Sequence, residues 1–388
     1  MPEPQRKKIS RIAIVKVGSA VSVDASGATR GQFMRRLGTE VRSLADAGWS
    51  VVLVISGAVA RGKAVRDIDQ AKGLSVAELQ AVSAIGQGYL FREIAESFQT
   101  ADVKTGQMLL TFSEVSNRES YPRVRSALQT MLGWDVVPIL NENDSVTSEG
   151  VSFGNNDFLA AQVAALLEAE RLIFLSSVPG VMDDDPRRNP DARVIPLIED
   201  VDGLLERLGY GRLSEKGGAQ GSGGIRGKLR AAQLASLRNI PVTIGSLEGQ
   251  SLRALATEDG NYTYVAPAGG LKSQRASFRF WLEFARPSAG ELIVDDGAAN
   301  AVRTKGASLL AVGVSDLDGN FAAGDAVTIA DRDRRPIAKG ICRYSARELK
   351  LLKQTKWEIE GEELEEVVHR DEMVLTDRPA TPSDGVGV

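Results

Sequence analysis

Several short stretches of this sequence bring cations, carboxylates, amides and glycines together at spacings that suit the handling of anions. Lys16, in Val15-Lys16-Val17-Gly18-Ser19, interrupts an apolar run. A buried ammonium is costly unless an anion pairs with it, and Gly18 lets backbone N–H groups approach a phosphate closely. The plainer alternative is a strand-end lysine that reaches back to water. Ser56-Gly57-Ala58-Val59 has the small residues of a sharp strand-to-helix turn, and the N-terminus of such a helix favours an anion. An ordinary βα turn uses the same residues. Asn141-Glu142-Asn143-Asp144 sets a run of polar side chains directly after an apolar one, which is more than a polar turn needs, and Asp144 can accept from a ligand ammonium. Gly154-Asn155-Asn156-Asp157 opens a strongly apolar stretch. N-capping accounts for one of these residues. Beyond that, Asn156 can bond a substrate carboxylate and Asp157 can hold lysines in place by charge pairing. The glycine-rich segment from Gly217 to Lys228 has backbone donors, a following helix and one cation in its first turn, which together can cradle phosphate. Its spacing differs from G-x-x-x-x-G-K-[ST]. Asp183-Asp184-Asp185 reads as a solvated turn near a nucleotide edge, and no metal site is assigned to it.

Positioning these groups requires strands that end on one edge. Runs at 12–17, 51–56, 106–111, 136–140, 172–176 and 242–245 read as buried strands, with helical patterns at 31–47, 77–98, 119–133, 157–169 and 227–239. Repeated strand and helix predict an α/β fold, an open, mostly parallel sheet sandwiched by helices. Ligands of such sheets bind outside the carboxyl ends of the strands, where each motif falls. This region is expected to span 1–270. A linker is expected at 271–287, a small β-rich domain at 288–378 and a frayed, disordered tail at 379–388. In the β-rich part, strands are expected at 291–294, 309–314, 326–329, 337–343 and 372–375, with turns at Asp296-Gly297 and Asp318-Gly319-Asn320.

Composition narrows the chemistry. With 388 residues, 43% hydrophobic and 25% charged, the chain suits two globular domains. A net charge of −4 does not point to nucleic acid, and acidic residues outnumber basic ones from Ala285 onward. A single cysteine, Cys342, excludes an internal disulfide and reads as a small apolar side chain. His369 is the one histidine, so a histidine triad or multi-histidine metal site is excluded by counting. No apolar run reaches the roughly 18 residues of a membrane span. The N-terminal pattern is not that of a signal peptide, so a reducing, cytoplasmic setting is expected. Any catalysis must use Lys, Asp, Asn, Ser and backbone N–H groups.

The motifs come in a recognisable order: K-x-G, S-G-A, G-Q-x-L-L-T at Gly106 to Thr111, N-E-N-D, G-x-N-D, a D-P turn at Asp185-Pro186, then G-[ST]-G-G-[MI]-x-x-K. Together, over roughly 12–246, they resemble the amino acid kinase family, most closely its glutamate-phosphorylating members. Residues 288–376 resemble the PUA domain attached to many of those enzymes, on Gly290-Glu291-Leu292-Ile293-Val294-Asp295-Asp296-Gly297-Ala298 and Gly340-Ile341-Cys342-Arg343-Tyr344-Ser345. The resemblance implies phosphorylation of the L-glutamate γ-carboxylate by Mg²⁺ and ATP, the first step of proline biosynthesis. By matching position it implies that Lys16 and Lys228 neutralise the transferring phosphoryl group and that Asp157 organises them. It also implies that Ser56, Asp144 and Asn156 hold glutamate. Lys16, Gly18, Ser176, Ser177, Gly221, Ser222, Gly223, Gly224 and Lys228 would line the nucleotide site. A homo-oligomer, proline as a feedback ligand and a glutamyl phosphate reductase as pathway neighbour are further implications. The chemistry agrees: a carboxylate is ionised at neutral pH and is itself the nucleophile, so no general base is required.

Departures from the family pattern carry an expectation of altered nucleotide binding or proline response. Ser176-Ser177 stands where Thr-Asp is common, Gly227 replaces a hydroxyl residue, Ala20 replaces Ser or Thr, and Asn155 replaces a frequent Asp. Two other readings remain open from sequence: a same-fold kinase for acetylglutamate, aspartate or a nucleoside monophosphate, and a degenerate kinase with an RNA-binding or regulatory role.

Overall fold

The computed structural model describes residues 9–111, 114–115, 120–146, 155–184, 189–208, 224–257, 260–270, 278–280, 282–283, 288–354 and 366–376. They belong to two units, Met1–Lys272 and Ser273–Val388.

In the first unit, β1 (Arg11–Val17) lies centrally and pairs in parallel with β2 (Trp49–Ile55) and β5 (Arg171–Leu175). The sheet extends through β4 (Val136–Glu142) to β3 (Lys104–Leu110) on one side. On the other it runs through β7 (Val242–Gly245) to β8 (Thr263–Val265) and β6 (Leu197–Ile198). The order is β3-β4-β2-β1-β5-β7-β8-β6, and β8 turns antiparallel to β7. β2 and β5 are buried along their whole length, as expected where helices cover both faces. The two short outer strands, β6 and β8, had no legible signal because neither is long enough to show a period.

The helices between the strands are α1 (Ser19–Ser22), α2 (Gly31–Asp46), α3 (Ala58–Val65), α4 (Val76–Gln99), α5 (Tyr121–Gly133), α6 (Asn155–Leu167), α7 (Val201–Arg207), α8 (Ile225–Leu237) and α9 (Leu252–Thr257). α2 buries Met34, Leu37, Val41 and Leu44, the stripe of an amphipathic helix, each worth about 1.5–3 kcal/mol of burial. α4 starts with a capping box in which the Ser75 hydroxyl accepts from Glu78 N and the Glu78 carboxylate accepts from Ser75 N. α6 differs. Phe158, Leu159, Ala160, Ala161, Val163 and Ala164 are all buried, so this helix is apolar nearly all round and its first turn opens into the interior.

α3 and α4 meet backbone to backbone. A Cβ on Gly62 would lie 1.9 Å from Val82 O, and one on Gly86 would lie 1.9 Å from Ala58 O. Gly86→Ala must therefore push the two helices apart. Only glycine permits this approach, and it fixes how α4 is rotated and slid against α3.

The second unit holds a five-stranded sheet ordered β10-β9-β11-β12-β13. Its strands are β9 (Gly290–Val294), β10 (Val314–Gly319), β11 (Ala326–Ala330), β12 (Pro336–Ile341) and β13 (Met373–Leu375). Two expectations are corrected here. Asp296-Gly297 is the start of α10 (Asp296–Lys305), not a turn, because the Asp295 carboxylate accepts from Ala298 N and caps it. Residues 309–314 are not one strand: Leu309 bridges Val368 and Ala311–Gly313 form a 3₁₀ turn before β10. A second helix, α11 (Ala346–Gln354), follows β12. Cys342 is fully buried and burial pushes its thiol up to about 11, so it acts as a small core side chain. His369 Nδ1 accepts from Asp371 N, a local turn contact.

Candidate active site

Parallel pairing brings the carboxyl ends of β1, β2, β4, β5 and β7 to one edge. Val17 pairs with Ile55 and with Leu175, Val54 with Leu140, and Leu175 with Gly245. Gly18, Ser56, Asn141, Ser176 and Ser246 follow these positions in the chain. Strand register therefore gathers the motifs that directly follow strands, and the first turns of α6 and α8 bring the others.

The first cluster is cationic. Lys16 is 4% exposed, Lys228 is 9% exposed and Asp157 is wholly buried. Lys16 Nζ lies 2.7 Å and Lys228 Nζ 3.3 Å from the same oxygen, Asp157 Oδ1. Lys228 Nζ also lies 4.8 Å from the centre of the Phe174 ring, a face that attracts a cation. Three elements supply the three groups: β1, the first turn of α6 and the first turn of α8. A carboxylate in a first helical turn is also favoured by the helix dipole. Burial opposes ionisation of Asp157, but the charges of Lys16 and Lys228 outweigh it and hold the carboxyl below its usual range. Burial pushes the Lys228 ammonium down to about 8, with Asp157 working the other way. Asp157 Oδ2 is buried with no hydrogen-bond partner among the described residues, which packing alone does not favour. Two ammoniums on one carboxylate leave an excess of positive charge at the strand ends.

Beside it, Gly18 caps α1. A Cβ there would lie 3.8 Å from Lys16 Nζ and 3.9 Å from Leu175 O, so glycine leaves the space before the ammonium open. Ser176 N donates to Gly245 O, and the Ser176 hydroxyl accepts from Val178 N at 3.4 Å. Ser177 is exposed. Gly224 is the N-cap of α8. Gly221, Ser222 and Gly223 lie outside the described residues.

The second cluster is made of amides and carboxylates. Asn141 is 2% exposed and its Oδ1 accepts from Asn156 Nδ2 at 2.8 Å. Glu142 N donates to both Asn141 Oδ1 and Asn156 Oδ1, at 3.0 and 3.1 Å. Asn141 Nδ2 in turn donates to Gln87 Oε1 at 2.5 Å. The Ser83 hydroxyl donates to Asp144 Oδ2 at 2.8 Å. Burial pushes the Asp144 carboxyl up, with the Ser83 hydroxyl working in part against it. On the β2 side, Ser56 N donates to Val17 O, and the Ser22 hydroxyl donates to Ser56 O. Gly57 then takes φ 131°, which favours glycine, and a Cβ there would press on Ser22 Oγ at 2.9 Å.

Of the residues singled out from sequence, Lys16, Asp157 and Lys228 touch one another. Asn156 joins the amide cluster through Asn141. Sequence reasoning treated Asn141 only as part of a polar run and passed over Ser83, Gln87 and Ser22. The signal for Ser83 and Gln87 is weak: two polar residues four apart amid the small and apolar residues of a long helix. The aspartates after β5 act as turn residues, since the Asp183 carboxylate accepts from Arg193 N and Asp184 accepts from Asn189 Nδ2. Asp185 lies outside the described residues.

A family model described as the amino acid kinase family matches residues 11–246. The chain belongs to the amino acid kinase family. A PUA domain model matches residues 290–359. A protein named glutamate 5-kinase from Syntrophus aciditrophicus (strain SB) is 35% identical over 379 residues, 96% of this chain and 96% of its own length. One of the same name from Marinomonas sp. (strain MWYL1) is 38% identical over 383 residues, 95% of this chain and 99% of its own. In this family member the cationic cluster lies inside the matched span.

Proposed function

We infer that this chain is a kinase that transfers the terminal phosphoryl group of ATP to the γ-carboxylate of L-glutamate, giving glutamyl 5-phosphate on the route to proline. Full-length relatives named glutamate 5-kinase support the substrate. The observation that carries the mechanism is the pair of buried ammoniums, Lys16 and Lys228, meeting on one oxygen of Asp157.

Glutamate needs no activation, because its side-chain carboxylate is already anionic at neutral pH. The difficulty is to bring that anion to a polyphosphate and to stabilise charge as the phosphoryl group moves. Asp157 keeps the two ammoniums together, and the excess positive charge is available to the transferring group. Lys16 and Lys228 neutralise that group in a site where burial strengthens each interaction. Gly18 leaves room for phosphate oxygens, and Ser176, Ser177, Gly221, Ser222, Gly223 and Gly224 serve the nucleotide side. Asp144 accepts from the glutamate ammonium. Ser56 and Asn156 hold its carboxylates, Asn156 through the Nδ2 hydrogen that Asn141 does not use.

The residues present suit a nucleoside triphosphate. Among the described residues, no group of three His, Cys, Asp or Glu side chains is placed to hold a metal ion. Magnesium carried by phosphate oxygens and water needs few protein ligands, so this donor set is compatible with Mg²⁺ arriving with ATP.

The reading extends to an amino acid kinase domain at 1–270, a linker at 271–287, a PUA-like domain at 288–378 and a tail at 379–388. A cytoplasmic enzyme is proposed, since the product is an unstable acyl phosphate that a glutamyl phosphate reductase must consume promptly. Among the described residues, no helix is long and apolar enough to cross a membrane. Homo-oligomerisation and feedback by proline are parts of the same proposal.

Hydroxylamine traps acyl phosphates as hydroxamates, which gives the test. With Mg²⁺, ATP and L-glutamate the protein should form hydroxamate, and Lys228→Ala should reduce kcat by roughly 10²–10³. Acetylglutamate and aspartate should give little. Hydroxamate from either of those in preference to glutamate would overturn the substrate.

A further inference from the structure

We propose that Ser83 and Gln87, on one face of α4, are positioning residues that set the affinity for the acceptor substrate without touching it. The inference rests on the placing of Asp144 and Asn156 in the acceptor site.

The two side chains are four residues apart on a helix and therefore project the same way. They are 3% and 9% exposed, so water does not compete for their hydrogen bonds. Each holds a different part of the site: Ser83 donates to Asp144, and Gln87 accepts from Asn141. From Gln87 the polarity passes on without choice. Its Oε1 requires the NH₂ side of the Asn141 amide, which turns Asn141 Oδ1 toward Asn156. Asn141 Oδ1 then requires the NH₂ side of Asn156, while Asn156 Oδ1 is taken by Glu142 N. Asn156 thus offers an N–H rather than an oxygen to an incoming carboxylate. A backbone N–H at one end and Gln87 at the other fix both amides between them.

The helix that carries this pair is itself fixed. Gly86 lies between Ser83 and Gln87, and its missing side chain is what lets α4 touch Ala58 O. Ala58 begins α3 directly after Ser56-Gly57. α4 therefore spans from the turn after β2 to the turn after β4 and places Ser56, Asn141 and Asp144 in one frame. None of its contacts reaches Lys16, Asp157 or Lys228 in the hydrogen bonds described, so the nucleotide side should not feel the loss.

The experiment is steady-state kinetics of Gln87→Leu, Gln87→Glu, Ser83→Ala and Ser83→Thr beside the parent protein, with thermal melting of each. Gln87→Leu keeps the volume and removes the acceptor; it should raise KM for glutamate about tenfold, with KM for ATP within about twofold. Gln87→Glu retains an oxygen facing Asn141 and should recover most of that loss. Ser83→Ala, which deletes one atom, should raise KM for glutamate about fivefold, and Ser83→Thr should recover it. If Gln87→Leu fails to fold, the Ser83 pair decides alone. An unchanged KM for glutamate in the folded variants would overturn the proposal. So would a parallel rise in both KM values that follows the loss of melting temperature. A parent protein that forms no hydroxamate from glutamate would instead remove the substrate reading on which the proposal rests.

Discussion

Two sets of ion pairs in this molecule look alike on paper and differ in kind. In the N-terminal unit, Lys16 and Lys228 share Asp157 with almost no exposure to water. In the C-terminal unit, Arg332 pairs with Asp296, Arg334 with Glu291 and Asp318, and Arg335 with Asp333, and all three arginines are well exposed. The first set gathers more positive than negative charge where charge is hardest to bury. In the second, acids stand opposite each arginine and water screens the rest. The polar recess of about 250 Å³ between α10 and the β11–β12 turn is lined by Asp296, Arg332 and Asp333 from these pairs and by Arg303 and Asp331, which pair with each other. It offers a ligand charges that already have partners. Excess charge under burial, not the number of charged residues, distinguishes the reactive region. This also explains why the arginine run near 332–335 gives little support to an RNA-binding reading.

Removing the shared counterion should give the largest effect. Asp157→Asn leaves two ammoniums facing each other with no carboxylate between them. Breaking a buried pair in this way costs about 3–5 kcal/mol, and the variant should melt correspondingly earlier. Its kcat should fall at least as far as that of Lys228→Ala, because both lysines lose their organiser. Chemical denaturation at neutral pH, with hydroxamate formation measured in parallel, checks both. An Asp157→Asn protein with parent-like stability would mean that the cluster is not charged as described.

A smaller effect separates activity from stability by pH. Lys228 is pushed down to about 8 in the folded protein, below the usual lysine value of about 10.4. Its charge is present below about pH 8 and is lost as pH rises through that value. In the free enzyme, kcat/KM for ATP should therefore fall about tenfold per unit of pH well above 8. The stability contribution has the opposite sign. Between the folded and unfolded values the unfolded chain binds more protons, so this group's contribution to stability rises with pH. The lost proton leaves Lys16 and Asp157 as a balanced pair. Bound polyphosphate favours the ammonium, so the limb in kcat should lie above that in kcat/KM. Coincident limbs in both parameters would contradict this account.

How much of this was legible in sequence depends on what each feature needs. Lys16 was legible because a cation in an apolar strand violates a local rule, and Asp157 and Lys228 because each stands in a polar or glycine-rich segment larger than a helix cap requires. The parallel sheet was legible because β1, β2 and β5 are short, mostly apolar runs that alternate with helical patterns. That Asp157 organises the two lysines was implied by the family resemblance, but their meeting on a single oxygen was not, since that depends on strand order, which places β5 beside β1 across a long stretch of chain. Ser83 and Gln87 break no rule on a helix that has both buried and exposed faces. Their role exists only because Gly62 and Gly86 let α4 lie close to α3. α10 was missed for a different reason: Asp-Gly is a turn signal in isolation, and Asp295 capping Ala298 N overrides it.

At an exposed ion pair of the C-terminal unit, a substitution should do almost nothing. Arg334 reaches both Glu291 and Asp318 from an exposed turn, with its own side chain 56% exposed. It also sits at φ 57°, the left-handed region, where any residue but glycine is strained. Arg334→Ala deletes both ion pairs and keeps that backbone strain, so it isolates the pairs. Exposed pairs contribute about 0–1 kcal/mol, so stability should change by less than about 0.5 kcal/mol and kinetic constants should not change measurably. Arg334→Gly would relieve the strain as well, and any gain it shows over Arg334→Ala measures the backbone, not the charge. A loss above about 2 kcal/mol in Arg334→Ala would mean that these surface pairs behave like the buried cluster, and the contrast between the two regions would fail.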